Sequence, residues 1–322
     1  MKEETSLTPE EVAGILKIAK NTVYELVKRG ELKAYRVGRK IRIDLEDVEA
    51  YKIKGKNLDL IRPDTPLTVN ISSPQSIISF EEEPAKLDHR LVICGQDVLL
   101  DILAKYLEHH PNGTRALRHQ VGSAAGLLAL YQGNAHMASA HLWNGDSGVY
   151  NVTYVRHLLF GTPAIIVHMA FRMIGFYVAK GNPKEIKSWR DLTRPDLTFI
   201  NREKGCGTRV LLDEQFRRLE VDRRMIKGYE REEHSHLAVA SVVARGEADV
   251  GLGNEKAPLQ VRGIEFIPLQ KERYELVMKK EDMDKPQFQA VIEILQSRQF
   301  KAELQGLGDY DLTETGRIVA EV

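Results

Sequence analysis

Between residues 91 and 252 one arrangement recurs: a short apolar run, a loop of glycine and small residues, then a helical pattern. Leu91-Val92-Ile93-Cys94 reads as a buried strand, followed by the loop Gly95-Gln96-Asp97 and an amphipathic helix to about His109. Thr114 to Val121 reads as a second strand, running through Gly122–Gly126 into an apolar helix that ends near Tyr131. Residues 133–140 lead into a further strand and the polar loop His141 to Tyr150. Leu197 to Ile200 is a strand, Gly205 to Arg209 a glycine loop, and Val210 to Leu219 a helix. A helix over Leu237–Arg245 precedes a strand over Ala248–Leu252. Repeated strand–loop–helix units specify an open α/β sheet, in which ligands collect at the strand C-termini.

At 322 residues the chain is long enough for two or three domains. Hydrophobic residues at 43% supply an ordinary core, but no apolar stretch approaches the ~20 residues that span a bilayer. The first residues carry no apolar leader, and two cysteines, Cys94 and Cys206, cannot build a disulfide framework. Those features lead us to expect a cytoplasmic protein without a membrane partner. The zero net charge conceals a local excess: residues 17–42 hold nine Lys and Arg against two Glu. Such a patch suits phosphate neutralisation, although most charge runs are simply solvated faces.

The basic stretch coincides with a motif. Thr8-Pro9-Glu10-Glu11 is a capping-box helix start, with Val12, Ile15 and Leu16 on one face. After Lys17-Ile18-Ala19 a second helix runs from about Lys20 to Arg29. It turns Val23, Leu26 and Val27 inward and leaves Asn21, Thr22, Tyr24, Glu25 and Lys28 outside, with Gly30 as its stop. Ala34–Val37 and Lys40–Ile43 around Gly38-Arg39 form a hairpin, and Asp44 caps a third helix over Leu45–Tyr51. Two helices and a basic hairpin make a winged helix-turn-helix over residues 1–56.

The run LTPEEVAGILKIAKNTVYELVKRGELKAYRVGRKIRIDLEDVEAY resembles the excisionase-type DNA-binding domain, a relative of the MerR-type winged helix. The resemblance implies that Lys20, Asn21, Thr22, Tyr24 and Lys28 face the groove of double-stranded DNA, with Arg36, Arg39, Lys40 and Arg42 on phosphates. Tyr24 could instead pack on the wing. So small a module usually reads two half-sites as two copies, which implies a homodimer.

Residues 57–88, with four prolines and Glu81-Glu82-Glu83, read as a linker. Beyond it, VGSAAGLLALYQGNAHMASAHLW, FINREKGCGTRVLLDEQF, AVASVVARGEADVGLG and LGDYDLTETGRI resemble the type 2 periplasmic-binding-protein fold, near its molybdate and tungstate binders. The resemblance covers 89–322 and implies two α/β lobes around a cleft. Lobe one would be about 89–165 and 270–322, and lobe two about 170–262. Hinges are expected near Val167–Ala170 and Leu259–Tyr274.

A helix N-terminus presents unpaired N–H groups and the positive end of the dipole, which suits an anion. Gly205, Cys206, Gly207, Thr208 and Arg209 form the leading candidate, although Arg209 could equally be a salt-bridge partner. Cys206 stands where the family pattern has serine. It is either a serine-sized filler or a soft, redox-sensitive contact with a lowered thiol pKa. Ser123, Gln96 and Asp97 are candidate ligand groups or helix caps, and His141 and His236 lie in comparable loops. The histidine spacing fits no standard zinc motif, so neither metal nor cofactor is expected beyond a bound oxyanion. No fixed Cys/His pair or P-loop lysine points to an enzyme. The expectation is a transcription regulator sensing a small ligand, an oxyanion such as molybdate or tungstate. An excisionase-like architectural factor and a molybdenum-cofactor-related enzyme or carrier stay open as alternatives.

Overall fold

The computed structural model describes residues 6–29, 32–38, 40–45, 47–48, 51, 90–308 and 310–322. The expected linker at 57–88, the helix stop Gly30 and the wing residue Arg39 lie outside the described residues. The chain divides into two units, Met1–Phe80 and Glu81–Val322.

In the first unit, helix α1 (Pro9–Leu16) starts at the expected capping box. Thr8 Oγ1 accepts from the Glu11 amide at 3.3 Å, and Glu11 accepts in return from the Thr8 amide at 2.7 Å. Lys17 in the left-handed region ends α1, and α2 (Lys20–Lys28) follows after a short turn. Strand β1 (Ser6–Leu7) pairs with β3 (Lys40–Asp44), which also pairs with β2 (Tyr35–Val37) in the hairpin. The edge strand β1 had no sequence signal, because two residues are too few to show alternation. Val12, Val23, Leu26, Ile43 and Val48 form the small core, so helical periodicity assigned the inward face of α2 correctly.

The second unit is built on one mixed sheet. It contains β4 (Leu91–Cys94), β5 (Ala116–His119), β6 (Met137–Ala140), β7 (Ala164–Ala179), β8 (Phe199–Arg202), β9 (Glu232–Glu233), β10 (Val250–Asn254), β11 (Ile264–Lys279) and β12 (Ile318–Glu321). The order is β5-β4-β6-β11-β7-β10-β8-β9, with β12 also on β7. Pairing is parallel at both ends of this order and antiparallel through β6, β11, β7 and β10. Strands β7 and β11, 16 residues each, run side by side through the whole unit and cross from one half to the other. At a rise of about 3.4 Å per residue each is ~50 Å long. The sequence segments near Val167–Ala170 and Tyr274 thus lie inside these strands, and register shifts fall at Pro268/Gln270 and Tyr274/Glu275.

Helices cover both faces. In one half these are α3 (Leu99–His109), α4 (Ser123–Tyr131), α5 (Val152–Leu158), α8 (Pro286–Gln296) and α9 (Arg298–Gln305). In the other they are α6 (Gly207–Arg218) and α7 (His236–Ala244). The halves keep separate apolar cores. One is centred on Leu103, Val167, Leu276 and Phe288, the other on Ile174, Phe176, Phe199 and Leu252. Several elements start or end differently from the sequence pattern, β5 among them, which is Ala116–His119 rather than Thr114 to Val121. Helix α6 begins three residues early because Cys206 caps it; β8 and β10 continue to Arg202 and Asn254, whose buried polar groups hydropathy scores as loop.

Gly175 of β7 packs tightly against β11: a Cβ there would lie 2.1 Å from the Ile267 carbonyl oxygen. Gly175→Ala is therefore expected to force the central strands apart, at a cost of about 3 kcal/mol. Urea denaturation checks this, and a loss below ~1 kcal/mol would contradict it.

Candidate functional site

Arg172 and Glu272 face each other across the register of β7 and β11 at the midpoint of both strands. Both are buried. The Arg172 guanidinium bonds Glu272 and also Asp97, which follows β4, and it stacks on Tyr274 with Cζ 3.9 Å from the ring centroid. Tyr310 and the Leu99 amide donate to Asp97 Oδ1 at 2.7 and 2.8 Å. His141 Nδ1 lies 2.8 Å from Glu272 Oε2. Burial would push the Asp97 and Glu272 carboxyls up, but Arg172 overrides it and holds both below the usual carboxylate range.

Above this cluster three helix N-termini meet. Gly122 precedes α4, Cys206 precedes α6 and Ser235 precedes α7. The first two touch: the Ala124 amide donates to the Gly205 carbonyl at 3.0 Å. Gly122 suits this approach, since a Cβ there would lie 3.0 Å from Cys206 Cα, and Gly207 lets α6 close on His141, whose carbonyl oxygen would be 2.6 Å from a Cβ. Between the N-termini and the ion cluster lies a cavity lined by Gln96, Asp97, Ser123, Ser139, His141, Arg172, His236, Asn254 and Tyr274, among others. It offers ≈ 20 Å³ in which a water-sized group can be centred, so only a compact solute of a few heavy atoms fits. A larger depression of ≈ 760 Å³ near Arg223, Arg224 and Tyr229 is open surface without convergent buried chemistry.

The acceptors around the cavity are already engaged. Asp97 and Glu272 are bonded as above, Gln96 Oε1 accepts from Arg202 at 2.6 Å, and Asn254 Oδ1 accepts from the Lys256 amide at 3.2 Å. Donors are left over. Asn254 Nδ2 has no partner among the described residues; Ser123 Oγ accepts from the His141 amide, and Ser139 Oγ from Tyr274, which leaves both hydroxyl protons available. His236 Nδ1 accepts from the Asn254 amide at 3.4 Å, which puts the proton on Nε2. Burial, then Arg202, Arg172 and His141, hold His236 well below its ordinary pKa, so the ring is neutral.

Of the sequence candidates, Gln96, Asp97, Ser123, His141 and His236 line the cavity, and Gly205–Thr208 form the neighbouring helix start. Thr208 is buried and its Oγ1 has no hydrogen-bond partner among the described residues. Arg209 points elsewhere: it stacks on Tyr229, donates to the Arg202 carbonyl at 3.1 Å and pairs with Glu232 at 3.4 Å. Cys206 Sγ accepts from the Arg209 amide at 3.4 Å, and burial pushes its thiol up to about 11 despite Arg202 and the helix amides. Of the two readings of Cys206, burial favours the serine-sized filler over the lowered, redox-sensitive thiol, because full burial outweighs a helix end. Arg172, Ser139, Asn254, Glu272 and Tyr274 were missed; the available signal was a charge in mid-run of the apolar segment Ala164–Ala179.

In the first unit Lys20, Asn21, Thr22, Tyr24 and Lys28 are exposed on one helix, with Tyr24 at 40%. Lys20 pairs with Glu10 of α1. Lys40 is exposed and Arg42 half-buried on β3, and Arg36 lies in β2. Ala19 supplies no capping side chain to α2, so that helix start keeps amides for a phosphate.

The fold and site define a two-part protein, a helix-turn-helix domain followed by a binding-protein domain. Residues 104–296 match the PBP superfamily domain, and the chain belongs to that family; residues 6–55 match a helix-turn-helix domain. The chain is 41% identical over its full length to the uncharacterised protein YvgK of Bacillus subtilis, itself covered completely. Its fold is similar to a candidate phosphate ABC-transporter substrate-binding protein from Clostridium perfringens, with bound phosphate. There the TM-score is 0.51 at 15% identity, over 68% of this chain and 97% of that one. It is also similar to a hydrogen-peroxide-bound mutant of Corynebacterium glutamicum OxyR, with a TM-score of 0.50 at 13% identity over 93% and 89% of the two chains. Both domains are of DNA-binding and substrate-binding types, and no described helix is long and apolar enough to cross a membrane.

Two outcomes follow for the buried charges. Arg172→Met strands two carboxylates and is expected to cost about 3–5 kcal/mol, with much of the loss recovered by adding Glu272→Gln and Asp97→Asn; denaturant titration checks both. His236 stays neutral when folded but takes a proton near 6.5 when unfolded. The unfolded state then binds more protons below that pH, so stability falls as pH falls, by up to roughly 1 kcal/mol per unit. His236→Asn keeps an acceptor for the Asn254 amide and should remove that share of the slope; an unchanged slope would contradict the assignment.

Proposed function

We propose that this chain is a DNA-binding transcription regulator whose large domain binds a small oxyanion such as molybdate or tungstate. The observation carrying the reading is the cavity wall: acceptors consumed, donors left over, and the starts of α4 and α7 in the lining, with the start of α6 packed beside α4. A tetrahedral oxyanion is compact and offers only acceptors, so it completes the unused donors without displacing an internal bond. Ser123, Ser139, His236 Nε2, Asn254 Nδ2 and the Thr208 hydroxyl are the proposed ligand contacts. Arg172 acts through the field it sets up rather than as a free cation. Gly205, Cys206 and Gly207 provide backbone, and Arg209 holds the segment in place.

The exposed α2 face supports groove contact by Lys20, Asn21, Thr22, Tyr24 and Lys28, with Arg36, Arg39, Lys40 and Arg42 on phosphates. Operator binding by a homodimer would match two half-sites. Ligand affects DNA affinity only insofar as it binds one conformation of the protein more tightly than another.

Thermal shift against molybdate, tungstate, sulfate and phosphate tests the ligand class. At a hundredfold excess over Kd the matching ion should raise Tm by roughly 5–10 °C, and Ser123→Ala with Thr208→Val should reduce the rise. No stabilisation by any of the four would overturn the oxyanion reading and leave the regulator reading to gel-shift titration.

A further inference from the structure

One loop belongs to neither half alone. Between β6 and α5, both in the first half, the chain runs out through residues 142–150. Leu142 is buried with Ala140 and Val155 in a core of the first half. The next residue, Trp143, is buried with Phe199, Leu212 and Phe216 in the core of the second. The return is as abrupt. Tyr150 belongs to that second core, and Asn151 is back on the first half, its Nδ2 donating to Glu275 of β11 at 2.7 Å.

Both ends of the loop are fixed. At its base the Leu142 amide donates to Asn151 Oδ1 at 2.7 Å, and the Asn151 amide donates to the Leu142 carbonyl at 2.8 Å. Its tip is pinned on α6. The Gly145 amide donates to Glu214 Oε2 at 2.8 Å, and Arg217 pairs with Asp146 and with Glu214 at 2.8 Å each. A Cβ on Gly145 would lie 2.5 Å from Glu214 Oε2, so glycine lets the tip seat this closely. Asn144 Oδ1 stiffens the turn by accepting from the amides of Asp146 and Ser147 at 3.1 and 2.9 Å.

Consecutive residues in two cores leave little slack, because one peptide spans only about 3.8 Å between Cα atoms. Bending β7 and β11 therefore cannot by itself part the halves on the α6 side; Trp143 must leave its seat as well, returning a large apolar surface to water. The cavity lies on that side. His141, which lines it, immediately precedes the loop, and Gly207 at the start of α6 packs on His141.

We propose that residues 142–150 are a strap that clamps the two halves together, and that the cavity opens only when Trp143 is drawn out of the second half's core. Opening is then a discrete step, since packed cores switch between arrangements and do not deform continuously. This holds whichever ligand the cavity takes.

The test is the distance between spin labels on the full-length chain, at Glu108→Cys in the first half and Lys227→Cys in the second. Both positions are exposed, and the native Cys94 and Cys206 are buried. With the strap intact the distribution should be narrow. Trp143→Ser removes the anchor, and Arg217→Glu sets a third carboxylate beside Asp146 and Glu214 at the tip. Each should broaden the distribution and move it outward by more than one residue's reach, about 3.8 Å. Adding Asp146→Lys to Arg217→Glu should bring the narrow distribution back. In a Trp189→Phe background, acrylamide quenching of Trp143 fluorescence should rise severalfold with Arg217→Glu. A wild-type distribution that is already broad overturns the proposal. So does an Arg217→Glu protein, folded by circular dichroism, with wild-type distance and quenching; this variant decides the matter should Trp143→Ser fail to fold.

Discussion

The pairing of Arg172 with Glu272 across β7 and β11 is the contact on which the large domain depends. It sits at the midpoint of the two strands shared by both halves, between their two apolar cores. A charge buried there is tolerable only when paired and hydrogen-bonded. Asp97 and Tyr310 from one half, and the aromatic face of Tyr274, complete that shell. The same cluster becomes the floor of the cavity, so the interaction that makes a polar centre affordable also determines the field a ligand would meet.

From this floor follows the division of labour in the wall. Carboxylates and amide oxygens are spent inside the protein, and hydroxyl, imidazole and amide hydrogens are left facing inward. Cys206 fits the same logic. Its sulfur caps α6, its thiol is pushed up by burial, and it serves as a small filler at a crowded junction. A serine there would do the same capping job with a stronger hydrogen bond.

Local features were legible in the sequence because they depend on neighbours in the chain. Thr8 with Glu11, the inward face of α2, the hairpin around Gly38 and the strand–glycine–helix units are all of this kind. Gln96, Ser123, His141 and His236 were legible as residues of loops that follow strands, and such loops gather here around one cavity. Arg172 and Glu272 were not, since 100 positions separate them and an isolated charge in an apolar run has no periodicity to read.

The sequence by itself thus determined the two-domain order, the helix-turn-helix face and the loops from which a site is made. Tertiary structure alone decided which of those loops share one cavity, that the buried Arg209 turns away from it to Tyr229, and that Arg172 is neutralised from two sides. The reason is physical. Helix caps and periodicity are set within a few residues, whereas desolvation and ion pairing depend on what the fold brings from far along the chain.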